Sequence, residues 1–316
     1  MASIPPKNKS PQDPELQDAS SQEPVEAPDD GVVTERGLER SREEAKFVPV
    51  ILKRSDQSRR HPDDILASAI EEGLEQLERP TLSLYLSAVA AGLILGFTAM
   101  AVAVMAVVTD GDSAALVQRL AVAFVYPLGF VLCIMSGTEL FTEHTATAVY
   151  PVMDRKASVL QMLRLWLLVL AGNLTGALAS AGLLVSAETV VEARDGYLSI
   201  GHHLVEYGAP SLFASSLLAG WLMALGAWLI HASAPGVGQI VSIYIVTFLI
   251  GLGGLHHSIA GAVEMLTALL LSDHLTVAQS LRFIGLAAVG NLVGGSLFVA
   301  VLNYGHIRHT QEADEA

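Results

Sequence analysis

From Pro80 to Tyr304 the chain consists mostly of Leu, Ala, Val and Gly, and this stretch limits what the chain can fold into. Spanning a bilayer takes roughly 20 apolar residues in a helix. Six runs approach that length, at 80–109, 120–137, 165–187, 209–232, 237–255 and 283–304. They predict an all-α membrane protein with six transmembrane helices.

The segments outside this body differ in composition. Residues 1–61 are predicted to form an acidic, cytoplasmic and disordered tail, because 1–45 are rich in Pro, Ser, Asp and Glu and carry too little apolar surface to fold. Residues 62–79 have the apolar spacing of an amphipathic helix. Residues 80–305 form the transmembrane domain, and 306–316 a cytoplasmic C-terminal tail.

Charge and cysteine content exclude several classes of protein. The net charge of −14 argues against nucleic-acid binding, which needs a basic face. The single cysteine, Cys133, rules out a disulfide within the chain and supplies no metal motif. No signal peptide opens the sequence, so the first span is expected to be an internal anchor. The sequence predicts no metal, no cofactor and no catalytic residue.

Two shorter apolar pieces, 145–153 and 258–272, follow the second and fifth runs. Each is separated from its run by a polar, Gly-marked break, at 136–145 and 253–258. Interrupted spans persist in a membrane only where their backbone lines a cavity or is buried in protein. A matching pair of them is the best sequence indication of a substrate site.

The third and sixth spans share a sequence pattern. LRLWLLVLAGNLTG (163–176) and LRFIGLAAVGNLVG (281–294) have the same Leu-Arg start and the same GN-x-x-G. Their register places Glu139 opposite His257. The chain is therefore predicted to contain two three-helix repeats with broken second and fifth helices, and three spans per repeat make the repeats inverted.

Basic residues alternate with acidic ones between the spans. Lys53 to Arg79, then Arg155 to Arg164, then Arg308 lie on one predicted side, and the acidic segments around Asp110 and Glu188 lie on the other. By the positive-inside rule both termini are cytoplasmic. We expect a multi-pass protein of the inner membrane.

Polar residues within the spans are the candidate functional residues. His257 lies at the fifth break and Thr142 at the second, and ionisable groups at membrane depth usually mark a pathway. A neutral, hydrogen-bonded core histidine is the alternative reading of His257, and its neighbour His256 is expected to point elsewhere. Asn173 and Asn291 are predicted to tether the broken backbone.

Two glutamates complete the set of candidates. Glu139 is predicted to brace a loop. Glu264 follows His257 by seven residues, on the same helical face, and its two open roles are a pore vestibule and a subunit contact.

Four motifs, in order, resemble those of the formate/nitrite transporter family. GTELFT (137–142) resembles the family signature G-A-[DE]-L-F-T, and HHSIAG (256–261) resembles the stretch that carries the family's central histidine. Three further stretches resemble the family's first, third and sixth spans: AGLILGF (91–97), AGNLTGAL (171–178) and VGNLVGGSLF (289–298). The resemblance assigns His257, Thr142, Phe141 and Leu140 to the pore. It implies an aquaporin-like fold and a homopentamer that conducts formate, nitrite or hydrosulfide.

The chain also departs from that family. Gly220 lies where asparagine is expected in the fourth span, and Glu143 and His144 replace a small residue and asparagine after GTELFT. The long tail and the LRLW motif resemble the YfdC-type branch.

The sequence therefore predicts a channel or transporter for small monovalent anions, with proton coupling left open, and not an enzyme. A neutral small-solute channel of aquaporin-like fold is the alternative, although Asn-Pro-Ala boxes are absent from the sequence. An ammonium channel, an intramembrane hydrolase and a sensor are less consistent with these motifs.

Overall fold

A computed structural model describes residues 61–111 and 115–315, so the predicted disordered tail lies outside it apart from His61. Every regular element in these two ranges is a helix. In chain order they are α1 (Pro62–Glu78), α2 (Thr81–Ile94), α3 (Gly96–Val108), α4 (Ala115–Val125), α5 (Pro127–Met135), α6 (Phe141–Thr147), α7 (Val149–Met153), α8 (Val159–Ser186), α9 (Glu188–Val191), α10 (Arg194–Glu206), α11 (Ala209–Ala232), α12 (Val237–Gly253), α13 (Ser258–Leu271), α14 (Val277–Gly295), a π-helical turn (Ser296–Val301) and α15 (Leu302–Glu315).

Six stretches of the described chain can cross a membrane by length and composition. Five are single stretches: Thr81–Val108, Ala115–Met135, Val159–Ser186, Ala209–Ala232 and Val277–His309. The sixth is the pair α12 and α13, bent by 50° at its break. This arrangement confirms the predicted six-span, all-α fold with a broken fifth helix.

Local sequence signals set where the spans begin. Ser158 forms a capping box with Gln161 at the start of α8, and Thr276 forms the same box with Gln279 at the start of α14. Each box satisfies backbone N–H groups that have no partner within the helix. The third and sixth spans therefore begin several residues before the apolar runs do.

The two repeats pack their first and third spans in the same way, through glycine. A Cβ atom on Gly92 of α2 would lie 2.2 Å from Asn173 O of α8, and one on Gly220 of α11 would lie 2.2 Å from Asn291 O of α14. Only glycine allows backbones to approach this closely. The departure at Gly220 thus has a packing reason.

Three features differ from the sequence prediction. The second break is shorter than 136–145, because the chain is already helical from Phe141. The predicted C-terminal tail is part of α15. The acidic segment between the third and fourth spans contains α10, whose buried Tyr197, Gly201 and Leu204 have helical spacing that sequence reading overlooked.

Candidate functional site

The two helices that follow the breaks, α6 and α13, bring Thr142 and His257 together. Thr142 Oγ1 lies 2.8 Å from His257 Nε2, and both side chains are buried. These residues are 115 positions apart in the chain. The two predicted pore residues therefore form one hydrogen-bonded pair where the broken spans meet.

His257 is also the N-cap of α13, and this fixes its ring. Its Nδ1 accepts hydrogen bonds from the backbone N–H groups of Ile259 and Ala260, each at 3.2 Å. Nδ1 therefore carries no proton, and Nε2 donates to Thr142. Protonating Nδ1 would break both bonds and place a positive charge at a helix N-terminus, which is unfavourable. The geometry favours a neutral donor ring.

Two hydroxyl groups near this pair have hydrogen to donate. Thr142 Oγ1 accepts from His257 and makes no further hydrogen bond within the described residues. Ser258 Oγ, in the residue next to His257, is buried and has no partner within those residues either. A solute held at Thr142 would accept a hydrogen bond. Sequence analysis weighed Ser258 only as a hydrolase serine and did not select it as a pore residue.

Asn173 and Asn291 make equivalent hydrogen bonds in the two repeats. Asn173 Oδ1 accepts from Phe141 N at 2.8 Å, and its Nδ2 donates to Glu139 O and Ala88 O, both at 2.8 Å. Asn291 Oδ1 accepts from Ser258 N at 2.7 Å. These are the contacts that a tether for a broken span needs.

The second repeat completes the equivalence and corrects the register across the breaks. Asn291 Nδ2 donates to His256 O at 3.1 Å and to Ser216 O at 2.6 Å. Because Asn173 contacts Glu139 O in the same way, Glu139 is equivalent to His256, and Leu140 is equivalent to His257. The predicted pairing of Glu139 with His257 is wrong by one residue, because the segment from the break to the tethering asparagine is one residue longer in the second repeat. Phe141 precedes Asn173 by 32 residues, whereas Ser258 precedes Asn291 by 33.

Aromatic and apolar side chains surround the central pair. Leu140 and Phe141 are buried in the main core cluster. Phe130 of α5 contacts the His257 ring edge to face, with 4.9 Å between ring centroids. The sequence analysis did not select Phe130, yet Tyr126 and Phe130 are spaced four residues apart and lie on one helix face.

A cavity of about 250 Å³ opens beneath α1, and we call it the α1 cavity. It is lined by Glu72, Gln76, Ile134, Met135, Gly137, Thr138, Glu139, Glu143, Ile230, Gln239 and Ile243. Deeper in, Glu143 and Ile134 also line a neck with Met223 and Val246, which is too narrow for a water molecule. The α1 cavity is therefore acidic, and the adjoining neck is lined by Glu143 and otherwise by apolar residues and Gly226.

Ion pairs hold most of the acidic groups in this cavity. Glu139 pairs with Arg79 and His144, as a bracing residue would. Glu72 of α1 pairs with His231 of α11. Burial alone would raise the pKa of Glu72, but its hydrogen bond to His231 and the charge of His231 outweigh burial and lower that pKa. Glu143 has no side-chain hydrogen bond or ion pair within the described residues.

A second cavity, of about 440 Å³, lies beneath α10, and we call it the α10 cavity. Its lining includes His257, His256, Glu264, Arg119, His203 and Tyr207. Glu264 therefore lines the cavity that contains His257, and its two open roles, pore vestibule and subunit contact, stay predictions. His256 and His257 border this one cavity, although their rings point in different directions: His256 contacts Ser215, whereas His257 contacts Thr142.

Residues 63–305 match the family model described as formate/nitrite transporter. The chain belongs to the formate/nitrite transporter family. Among curated relatives it is similar to the inner membrane protein YfdC of Escherichia coli, at 33% identity over 244 residues that cover 76% of each chain. It is also similar to the uncharacterized transporter YrhG of Bacillus subtilis, at 26% identity, covering 78% of this chain and 92% of YrhG.

Solved structures show the same fold. An FNT family ion channel superposes with a TM-score of 0.68 at 19% identity, covering 77% of this chain and 99% of that one. A pentameric formate channel with formate bound superposes with a TM-score of 0.59 at 19% identity, covering 71% of this chain and 96% of that one. These likenesses confirm the aquaporin-like architecture of a multi-pass membrane protein.

No group of three or more His, Cys, Asp and Glu residues with metal-binding geometry is found within residues 61–111 and 115–315.

Proposed function

We propose that this protein conducts small monovalent anions such as formate or nitrite across the membrane, past Thr142 and His257. The observation that carries the proposal is the Thr142–His257 hydrogen bond, formed where two broken spans meet, with the α10 cavity reaching His257. Named formate transporters and channels among the family members support it, including a formate channel of Bacillus thuringiensis at 25% identity.

Hydrogen-bond donation explains how the central pair would act on such a solute. Moving an anion from water into an apolar passage is costly unless hydrogen bonds replace those lost. The Thr142 hydroxyl can supply one, and His257 Nε2–H keeps that hydroxyl oriented. The N-terminus of α13 adds the positive end of a helix dipole. Below α6, the narrow neck would favour a solute that has accepted a proton and crosses as the neutral acid.

Assembly and orientation belong to the same proposal. We infer a homopentamer with one pore per protomer, placed in the inner membrane with both termini in the cytoplasm. The solved pentameric formate channel supports the pentamer, and the inner membrane location of YfdC supports the membrane. Native mass spectrometry in mild detergent tests the pentamer, and a dominant monomer or tetramer would contradict it. Cysteine labelling at residue 306 from either side tests the orientation.

Flux of formate and nitrite into liposomes containing the purified protein tests the central step. We expect Thr142→Val to lower the flux by roughly 10-fold to 100-fold, because one hydrogen bond to a charged solute contributes about 1.5–3 kcal/mol and about 1.4 kcal/mol is a factor of ten. Thr142→Ser keeps the hydroxyl and should retain most of the flux. His257→Asn preserves an N-cap side chain but removes the donor to Thr142, so it should also lower the flux.

The control for these variants is the amount of folded, pentameric protein recovered. If Thr142→Val and His257→Asn conduct as well as the wild type, the central pair does not contact the solute and the proposal fails.

A neutral small-solute channel is the second candidate, because carboxylates face both cavities. Glu143 lies in the α1 cavity, Glu264 lies in the α10 cavity, and no Lys or Arg is among the residues that line the α1 cavity. Ionised carboxylates would repel an anion at its entrance. The two candidates differ in one measurement: an anion channel gives a diffusion potential in a formate gradient or a proton flux coupled to formate, whereas a neutral-solute channel passes glycerol or urea without either.

A further inference from the structure

A second polar position lies in the α10 cavity, away from the Thr142–His257 pair. His256 borders this cavity and is 4% exposed, yet its Nε2 has no hydrogen-bond partner within the described residues. A buried polar atom without a partner costs about 1–3 kcal/mol. Because His256 lines the cavity, a small ligand that packs against its ring can supply the partner that Nε2 lacks.

The hydrogen bonds of Ser215 decide which proton His256 carries. Ser215 Oγ accepts from the backbone N–H of His256 at 3.2 Å and lies 2.7 Å from His256 Nδ1. Within the described chain, Nδ1 is the only acceptor for the Ser215 hydroxyl hydrogen. We therefore assign Nδ1 as the unprotonated acceptor, which leaves the ring hydrogen on the unpartnered Nε2. This group is a donor and needs an acceptor.

Packing holds the imidazole in place. The ring contacts Tyr207 and Phe283 edge to face, with centroid distances of 5.2 and 5.8 Å. Ser215 holds the Nδ1 side from α11. A ring fixed on three sides presents Nε2–H at a constant position, which lowers the entropic cost of binding.

The α10 cavity has one basic side chain, Arg119, that can attract a small anion. Arg119 also borders the cavity, and its Nε donates to Leu252 O at 2.6 Å, which fixes the guanidinium while leaving its other N–H groups without partners in the described residues. Glu264 is the one carboxylate among the lining residues, beside the neutral His257. Arg119 thus supplies the positive charge at the wall of the cavity, and His256 Nε2–H a donor deeper in.

We propose that His256 Nε2–H, with Arg119, forms a vestibular binding subsite in the α10 cavity for a small monovalent carboxylate of formate size or an anion like it. This inference rests on the proposed anion passage. A bound anion at His256 lies in the same cavity as His257, so the subsite raises the occupancy of the entrance before the solute reaches Thr142. The subsite therefore changes the formate concentration at which flux is half-maximal, whereas the Thr142–His257 pair sets the maximal flux.

A matched pair of variants tests the subsite. His256→Asn places an amide near Nδ1, where Ser215 can still bind it, and removes the donor at Nε2. His256→Gln places an amide near Nε2 and restores that donor. We expect His256→Asn to raise the half-saturating formate concentration in liposome flux roughly fivefold to tenfold, with maximal flux within about twofold of the wild type. His256→Gln should remain close to the wild type.

A binding measurement separates this subsite from transport itself. Sodium formate should raise the thermal unfolding temperature of the purified protein and of His256→Gln by mass action. The shift should be smaller for His256→Asn. Sodium gluconate at equal ionic strength, whose anion is much larger, is the control and should give no such difference.

Each outcome has one meaning. If the wild type conducts no formate but is stabilised by it through His256, the proposed function fails and the subsite remains. If His256→Asn keeps the wild-type half-saturating concentration and the wild-type thermal shift, there is no subsite. A fall in maximal flux without a change in half-saturation would also overturn the proposal, because it would assign His256 a structural role.

Discussion

Replacing Asn173 with alanine should destabilise the protein, because Asn173 is the tether of the second break. The change removes the acceptor of Phe141 N–H and the donor to Glu139 O. Both backbone groups lie in the break region, and each unpaired buried polar group costs about 1–3 kcal/mol. The third partner, Ala88 O, lies inside α2 and keeps its helical hydrogen bond, so it adds little. We expect a loss of about 2–6 kcal/mol.

Equilibrium unfolding in mixed micelles, followed by tryptophan fluorescence during titration with sodium dodecyl sulfate, measures this loss. Thr175→Val is the matched control, because Thr175 is on the same helix but exposed, and hydrogen-bonds Ala171 O and the Tyr85 hydroxyl. It should cost less than about 1 kcal/mol. Asn291→Ala should match Asn173→Ala, because its contacts are equivalent. If Asn173→Ala costs no more than Thr175→Val, the break is satisfied by other groups and the reasoning is refuted.

Three further predictions concern packing, the surface helix and the α1 cavity. Gly220→Ala should prevent recovery of folded protein, because the new Cβ atom would lie 2.2 Å from Asn291 O. Gly285 has open space around it, so Gly285→Ala should be tolerated. Size-exclusion chromatography distinguishes the two variants. Glu72→Gln and His231→Asn should each make α1 more accessible to protease. The double variant should be cleaved no faster than either single variant. Additive effects would show that the two side chains act separately. Glu143→Gln removes an unpaired negative charge at the neck. It should lower the half-saturating formate concentration severalfold for entry through the α1 cavity, because a like charge near the path costs about 1 kcal/mol. An unchanged half-saturating concentration would show that Glu143 is neutral when formate passes.

The pH behaviour of α1 docking follows from one lowered pKa. Because the Glu72 pKa is lowered in the folded protein, its ion pair contributes stability above the ordinary glutamate range near 4.3 and loses it only as pH falls through the lowered value. Proteolysis of α1 should therefore stay constant as pH falls from about 6 to 5. An increase over that interval would contradict the assigned pair.

The sequence by itself determined the spans and the repeat, because both depend on local properties. An uncharged run of about 20 residues has few stable alternatives to a membrane helix. The shared Leu-Arg start and the recurring GN-x-x-G of the third and sixth spans made the two repeats visible. The broken spans directed attention to Thr142 and His257, and these predictions needed no knowledge of contacts.

Only the tertiary structure decided what the residues at the breaks touch. The segments that join the two breaks to the third and sixth spans differ by one residue in length, so the register of those spans could not show that Leu140, rather than Glu139, is equivalent to His257. Phe130 and Arg119 reach the central residues and the α10 cavity from other helices, and Ser258 is distinguished only by lacking a partner. His256 and His257 are adjacent in the chain, yet Ser215 fixes one ring and the N-terminus of α13 fixes the other. These hydrogen bonds join groups distant in the sequence, and the folded backbone alone brings them within reach.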